Sequence, residues 1–370
     1  MATGSPGPTP QERRPSRLRS AVFALAVLVA VLAAVNQVVE LAERRGLVST
    51  QRPDDAVLFL DEALFERSGS KYTTTAYAEQ RMVASSFDAA PPESRWRLFA
   101  TGASFMMGSP LRMQGSNVGW GGIPDWLQLR LEERFPAADL EVINAAQSAQ
   151  TSHRVLRVVA SLLELEPDAL LVATCNNEGV LSPGALREAL HRHGGYRLLA
   201  RLLAPPPRPE ERSLFTPQDE QLDRIRDEFR QNIRAMVQLS GEAGVPLFLS
   251  TLPVHLAYTG REVGHLPGDE ATRPHEPLSD CVAEGRQKLL DGDLEGANEL
   301  LLTCEDVADS LVWIARVLGQ QGAVGPAREA LEQSVELAPR NRCRPSFNAI
   351  VREEAAAAEG GEGAAAGADA

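Results

Sequence analysis

Every position from Ala21 to Val35 is apolar. Carried on through Asn36 and Gln37 to Val39, the run nearly reaches the ~20 residues that cross a hydrocarbon core. It predicts one membrane-crossing helix over residues 20–40. Residues 1–19 form a basic tail containing Arg13, Arg14, Arg17 and Arg19. Basic residues on that side place the N-terminus in the cytoplasm and the rest of the chain outside it. Val31-Leu32-Ala33 also reads as a leader-cleavage site. A retained anchor, a cleaved leader and a buried core helix therefore all stay open, with the anchor preferred.

Residues 41–95 are a mixed, polar lead-in, closed by the boundary stretch DAAPPES. From 96 to 256 short apolar runs alternate with amphipathic ones. WRLFATG, LEVINAA, ALLVATC and VPLFLSTLP predict four buried strands. Between them IPDWLQLRLEERF carries Trp126, Leu127, Leu129, Leu131 and Phe135 at helical spacing, with Pro124 near its start. TSHRVLRVVASLLELEP is a second helix capped by Thr151 or Ser152, and the stretch from Thr216 to Gly244 is a long third one. Strands alternating with helices predict an α/β domain over 96–277 whose parallel sheet is covered on both faces. LLAPPPRPEERS, 202–213, reads as a Pro-rich linker or flap.

Residues 278–339 change to helix-turn-helix patterning. Two units each place a Gly at the turn (Gly292, Gly322), an Ala five residues later (Ala297, Ala327) and a Leu four beyond that (Leu301, Leu331). Leu311, Ile314, Leu318, Ala327, Leu331 and Pro339 resemble the packing positions of a tetratricopeptide repeat. The first unit fits less well, and 30 residues separate the two glycines. Two units fall short of a self-standing array and must lean on the sheet domain. The surface of the hairpins is an expected protein-partner site. Cys281 and Cys304 flank Gly292 by 11 and 12 residues. An antiparallel hairpin sets them opposite each other, so a disulfide and two buried thiols are both open. Residues 340–370 read as a helix passing into a low-complexity Ala, Gly and Glu tail.

Charge and composition remove several classes. A net charge of −13 and 5% aromatic residues exclude the basic stripe and stacking platform of a nucleic-acid binder. No CxxC pair is present and no metal site is signalled; GWGGIP does not follow a strand with phosphate-loop spacing.

The chemistry sits at predicted strand ends, where ligands of parallel sheets bind. Ser104 follows Gly102 in Gly-Ala-Ser, Asn144 opens Asn-Ala-Ala, and Asn177 lies in ATCNNEG. By itself Ser104 reads as a helix cap. Three such corners in order are similar to the SGNH (GDSL-like) hydrolases. More narrowly, they resemble bacterial members with an N-terminal membrane segment and C-terminal repeats. RLFATGASFMMGSP, LEVINAAQSAQTSHRVLRVV, LEPDALLVATCNNEGV and RCRPSFNAIVREEA carry the resemblance.

The resemblance implies a flavodoxin-like three-layer parallel sheet, no cofactor, and an acyl-ester substrate, with carbohydrate-linked esters among the candidates. It implies Ser104 as nucleophile and oxyanion donors from the Ala146 N–H and the Asn177 amide. Gly102 and Asn144 would support them. It also implies the bacterial inner membrane, with the main domain outside the cytoplasm. Neutral donors suit the role because they stabilise an alkoxide without titrating.

Three departures bear on this. Where the family has glycines, Ala146 and Cys175 stand here. Ala146 keeps its N–H but is penalised if the loop needs φ > 0. Cys175 adds bulk and offers a second, less favoured nucleophile. The third is the base: no Asp-x-x-His block follows Ile350, and His275 is the last of six histidines. His153, His191 and His193 read as helix-surface or helix-end residues, and His265 and His275 as loop residues. His255, after the fourth strand, is the first substitute base.

Two functions follow as expectations. One is a membrane-tethered serine ester hydrolase or O-acyltransferase, its chain cut short or frame-shifted ahead of the His. The other is a non-catalytic scaffold, a degenerate hydrolase domain that binds polysaccharide or protein.

Overall fold

The computed structural model describes residues 17–48, 63–76, 78–108, 121–179, 181–203, 219–256, 278–338 and 342–366. The basic tail to residue 16, most of the Pro-rich stretch, His265, His275 and Pro339 lie outside them. The chain divides into two compact units, one of residues 1–55 with 183–206, the other of 56–182 with 207–370.

In chain order the elements begin with helix α1 (Arg17–Arg44). Strands β1 (Phe65–Ser68), β2 (Lys71–Thr74) and β3 (Ser86–Asp88) follow. Next come β4 (Arg95–Gly102), the single turn α2 (Ser104–Met107), α3 (Ile123–Arg134) and β5 (Asp139–Asn144). Then α4 (Ser152–Leu163), β6 (Ala169–Ala173), α5 (Ala185–His191) and α6 (Gly194–Leu203). The long α7 (Asp219–Glu242) leads to β7 (Leu247–Leu249). Helices α8 (Asp280–Leu290), α9 (Leu294–Leu301), α10 (Val307–Gln320), α11 (Val324–Leu337) and α12 (Pro345–Ala366) complete the chain.

The larger unit is α/β. Its four-stranded sheet runs β5-β4-β6-β7 with every pair parallel. The strand segments are the apolar runs of the sequence, and β4 and β6 are buried along most of their length. Helix α4 buries Val155, Val158, Val159 and Leu162, the i, i+3, i+4, i+7 stripe of a core-facing helix. Phe229 of α7 meets Phe347 of α12 edge to face, with centroids 4.8 Å apart. Glu354 of α12 accepts from Arg230 and Arg234 of α7 at 3.1 and 2.9 Å.

The polar lead-in holds more structure than its pattern predicts. β1, β2 and β3 form an antiparallel sheet. Phe65, Phe87 and Phe99 join it to β4, with centroids 5.0 and 5.4 Å apart in T-shaped pairs. Its strands run only three or four residues, too short for alternation to register.

The helical segment is two hairpins, α8–α9 and α10–α11; α8, α9 and α10 enclose a second apolar core of Val282, Leu289, Ala297, Leu301, Ile314 and Val317. The helices meet closely at Gly285, where a Cβ would lie 2.5 Å from a Leu301 methyl. Cys281 and Cys304 are joined, with Cα atoms 5.7 Å apart. The disulfide, rather than two thiols, is what the hairpin carries.

In the smaller unit α1 holds a 23-residue stretch, Ala21–Glu43, of mean hydropathy 2.5 and 6% burial. It is long and apolar enough to cross a membrane, which suits a single-pass protein and equally a leader segment. Its exposure removes the core-helix reading. Residues 183–206, read from sequence as part of the sheet domain, group with α1 instead, because the Gly194-Gly195 end of α6 packs directly onto it.

Candidate functional site

The carboxyl ends of β5, β4 and β6 lie side by side, so the three corners share one sheet edge. Ala100 is in register with Asn144, and Gly102 with Ala173. The corners are also bonded to one another. The Ala145 and Gln147 N–H groups donate to the Ala100 and Gly102 carbonyls at 2.8 and 3.1 Å. Thr101 Oγ1 donates to the Ala145 carbonyl at 3.3 Å.

Ser104 is the first residue of α2, and Ala103 occupies the cap position. The capping reading of Ser104 therefore fails. Its side chain is half-buried and forms no hydrogen bond to a described residue. Gly102 sets this corner. Its φ is +151°, and a Cβ there would lie 2.0 Å from the Ala173 carbonyl oxygen.

Asn144 holds the second corner from both sides. Its Nδ2 donates to the Met107 carbonyl at 3.3 Å, and its Oδ1 accepts the Ala146 N–H at 3.1 Å. The Ala146 donor is thus already engaged within its own loop. The feared φ penalty does not fall on Ala146; Ala149, three residues on, takes the left-handed conformation at φ 55°. Gly122 completes the corner, since a Cβ there would sit 3.0 Å from Asn144 Nδ2 and 2.7 Å from the Met107 carbonyl.

The third corner is stapled to the second. Asn177 Nδ2 donates to the Gln150 carbonyl at 2.9 Å, and its Oδ1 accepts from Asn176 at 3.2 Å. The neighbouring Glu178 accepts the Ser152 N–H at 2.6 Å and the Ser152 hydroxyl at 2.9 Å. Asn232 of α7 donates to that hydroxyl at 3.0 Å. Ser152 opens α4, so the Glu178 carboxylate faces the positive end of a helix. Burial nonetheless outweighs the Ser152 hydrogen bonds, and with Glu228 adding repulsion it lifts the Glu178 carboxyl to about 7.

A raised carboxyl makes the folded state bind protons that the unfolded state releases. Its stability is then greatest below the unfolded pKa of 4.5 and falls as pH rises through about 7. The expected loss across that window is on the order of 3 kcal/mol. Unfolding measured from pH 4 to pH 8 should show this decline, and Glu178→Gln, which can still accept from Ser152, should flatten it.

Cys175 is not the free thiol that a nucleophile needs. It is bonded to Cys343, two residues before α12. Asn348 of α12 reinforces the join, donating to the Leu252 carbonyl and accepting the Leu252 N–H, both at 2.9 Å. Neither Glu178 nor this disulfide is visible as a sequence motif; a Glu beside Asn177 was the one available signal.

His255 is exposed on the segment after β7, two strands from β4 across the sheet. No hydrogen bond joins it to Ser104. His153 is half-buried on α4, and His191 is buried at the end of α5, away from the predicted surface position. No group of three His, Cys, Asp or Glu suited to a metal occurs among the described residues. Compared with models of protein families, with curated proteins and with solved structures, the chain matches none.

Proposed function

We propose that this chain is a membrane-tethered SGNH-type serine ester hydrolase or O-acyltransferase whose catalytic domain lies outside the cytoplasm. The observation that carries the reading is the sheet edge where Ser104, Asn144 and Asn177 follow three adjacent parallel strands. The order β5-β4-β6-β7, with the first parallel strand between the second and third, supports a flavodoxin-like domain, whose ligands bind at such an edge. The hairpins α8–α11 support the tetratricopeptide-like reading. All four cysteines are paired, which supports an oxidising compartment. Helix α1 continues unbroken past Ala33 into its docked stretch, which supports a retained anchor.

In this mechanism Ser104 Oγ attacks the acyl carbonyl carbon while a base takes its proton, with His255 the candidate within the chain. The carbonyl oxygen becomes an alkoxide, held by the Asn177 amide and by the Ala146 N–H once Asn144 releases it. Collapse expels the alcohol, which takes the proton. Water or a sugar hydroxyl then removes the acyl group. The domain would bind acetyl or acyl esters, including those on carbohydrate.

The engaged Ala146 N–H and the absence of a Ser104–His255 bond favour a second reading, the non-catalytic scaffold that holds polysaccharide or protein. Labelling of the full chain by a fluorophosphonate, together with p-nitrophenyl acetate turnover, separates the two. The hydrolase reading expects label on Ser104 and turnover, both lost in Ser104→Ala. A wild-type chain that takes no label and turns over no ester, yet binds partner equally well with and without Ser104, is a scaffold.

A further inference from the structure

We infer that helices α5 and α6 form a membrane-interface element that lies in the outer lipid boundary beside α1. The inference rests on the reading of α1 as a bilayer-spanning anchor and extends it to a second lipid contact.

Heights along α1 carry the argument. The apolar run Ala21–Val35 rises about 22 Å, and continuing to Val39 brings it near the ~30 Å of a hydrocarbon core. Asn36 is the first polar side chain after that run, so the turn from Asn36 to Val39 lies at the lipid boundary and Glu40 to Glu43 emerge into the interface. Helix α6 is attached at this level. The Gly195 N–H donates to Asn36 Oδ1 at 2.9 Å. Arg197 pairs with Glu43 at 2.6 Å, with both side chains mostly buried. Asn36 Nδ2 is satisfied by Glu40 at 2.8 Å. The close approach depends on Gly194, where a Cβ would come 3.2 to 3.3 Å from Glu40, Glu43 and Val39. Polar groups at a lipid boundary need protein partners of this kind.

The attached helix shows lipid an apolar stripe. Leu199, Leu202 and Leu203, at i, i+3 and i+4, are 53, 72 and 73% exposed, and Leu186 of α5 is 75% exposed. Arg192 and Arg201 accompany them, both exposed, while Arg197 is taken up by Glu43. An amphipathic helix of apolar stripe and basic flank, held at interface height, lies in the plane of the bilayer with its leucines sunk about 5–10 Å. The bilayer that would cover the exposed face of α1 is the occupant proposed for this stripe.

Full-length chain reconstituted in 3:1 phosphatidylcholine–phosphatidylglycerol vesicles tests this. Spin labels go singly on Val29→Cys, Leu202→Cys and Arg192→Cys, and collision rates with oxygen and with a water-soluble nickel chelate are read. The expected result is loss of most nickel accessibility at 202 relative to 192, with a depth between those of 192 and 29. Full nickel accessibility at 202 with a lipid-buried 29 overturns the interface element and leaves the anchor intact. Water access at both 29 and 202 overturns the anchor itself. Protection at 202 with spin–spin broadening that vanishes on dilution with unlabelled chain overturns the lipid occupant in favour of a second copy.

Discussion

Gly102→Ala should strongly destabilise the larger unit and lower its melting temperature by many degrees. The new Cβ would stand 2.0 Å from the Ala173 oxygen and 3.0 Å from its carbonyl carbon. Both atoms belong to backbone of the paired strand β6, so no rotamer change relieves the clash. The φ of +151° adds strain that only glycine escapes. Overpacking of this kind costs about 3 kcal/mol or more, against a total stability of roughly 5–15 kcal/mol. The damage falls where β4, β6 and the Ser104 turn meet, so strand pairing and the site are weakened together. Thermal unfolding by circular dichroism checks it, with Gly241→Ala as control. A Cβ at Gly241 meets nothing within 4 Å, and in helix α7 the change should stabilise by up to about 1 kcal/mol. A Gly102→Ala chain with a wild-type melting curve would mean that the corner is not built as described.

Removing the Cys175–Cys343 disulfide should be the second large loss. Its ends are 168 residues apart, whereas those of Cys281–Cys304 are 23 apart. In the chain-entropy account a bridge stabilises by shrinking the unfolded ensemble, more so for a longer loop. The Cys175→Ala/Cys343→Ala pair should cost about 5 kcal/mol and the Cys281→Ala/Cys304→Ala pair about 3 kcal/mol. The long bridge also carries a local task. It holds the end of β6, beside the Asn177 corner, to the start of α12, leaving Phe347 and Asn348 to dock alone. Denaturant titration of the two double variants reads the order, and a costlier hairpin bridge would reverse the argument. Mild reductant should open Cys281–Cys304 first, since Cys281 is half-buried while Cys175 and Cys343 are both 2% exposed.

The elements that were legible in the sequence share one property: their signal is local. The run 21–35 is apolar whatever surrounds it. The central strands β4 and β6 are buried apolar stretches, as predicted, whereas the edge strands β5 and β7, also predicted buried, are partly exposed because no described strand covers their outer edge. The hairpin glycines Gly292 and Gly322 take φ of 86° and 81°, conformations that glycine alone adopts freely. The facing of Cys281 and Cys304 followed from symmetry about one turn, and the structure decided between the disulfide and two thiols that the sequence left open.

Tertiary structure decided everything that depends on residues far apart in the chain. Cys175 and Cys343 are indistinguishable from free thiols until β6 and α12 meet. Glu178 gives no sign of burial in the sequence, and only its burial, with Glu228 nearby, lifts it toward neutrality against the Ser152 hydrogen bonds. The Ala146 N–H is a free donor on paper, and the fold hands it to Asn144. The task of Gly102 and Gly122 is to let backbone or side-chain atoms pass where a Cβ would collide, a contact that the sequence does not display. The sequence by itself determined which segments bury themselves and in what secondary structure, because hydrophobic patterning acts over a few residues. Which polar groups end up paired, buried or exposed was decided only by packing, because each such outcome is a contact between segments that the chain alone does not align.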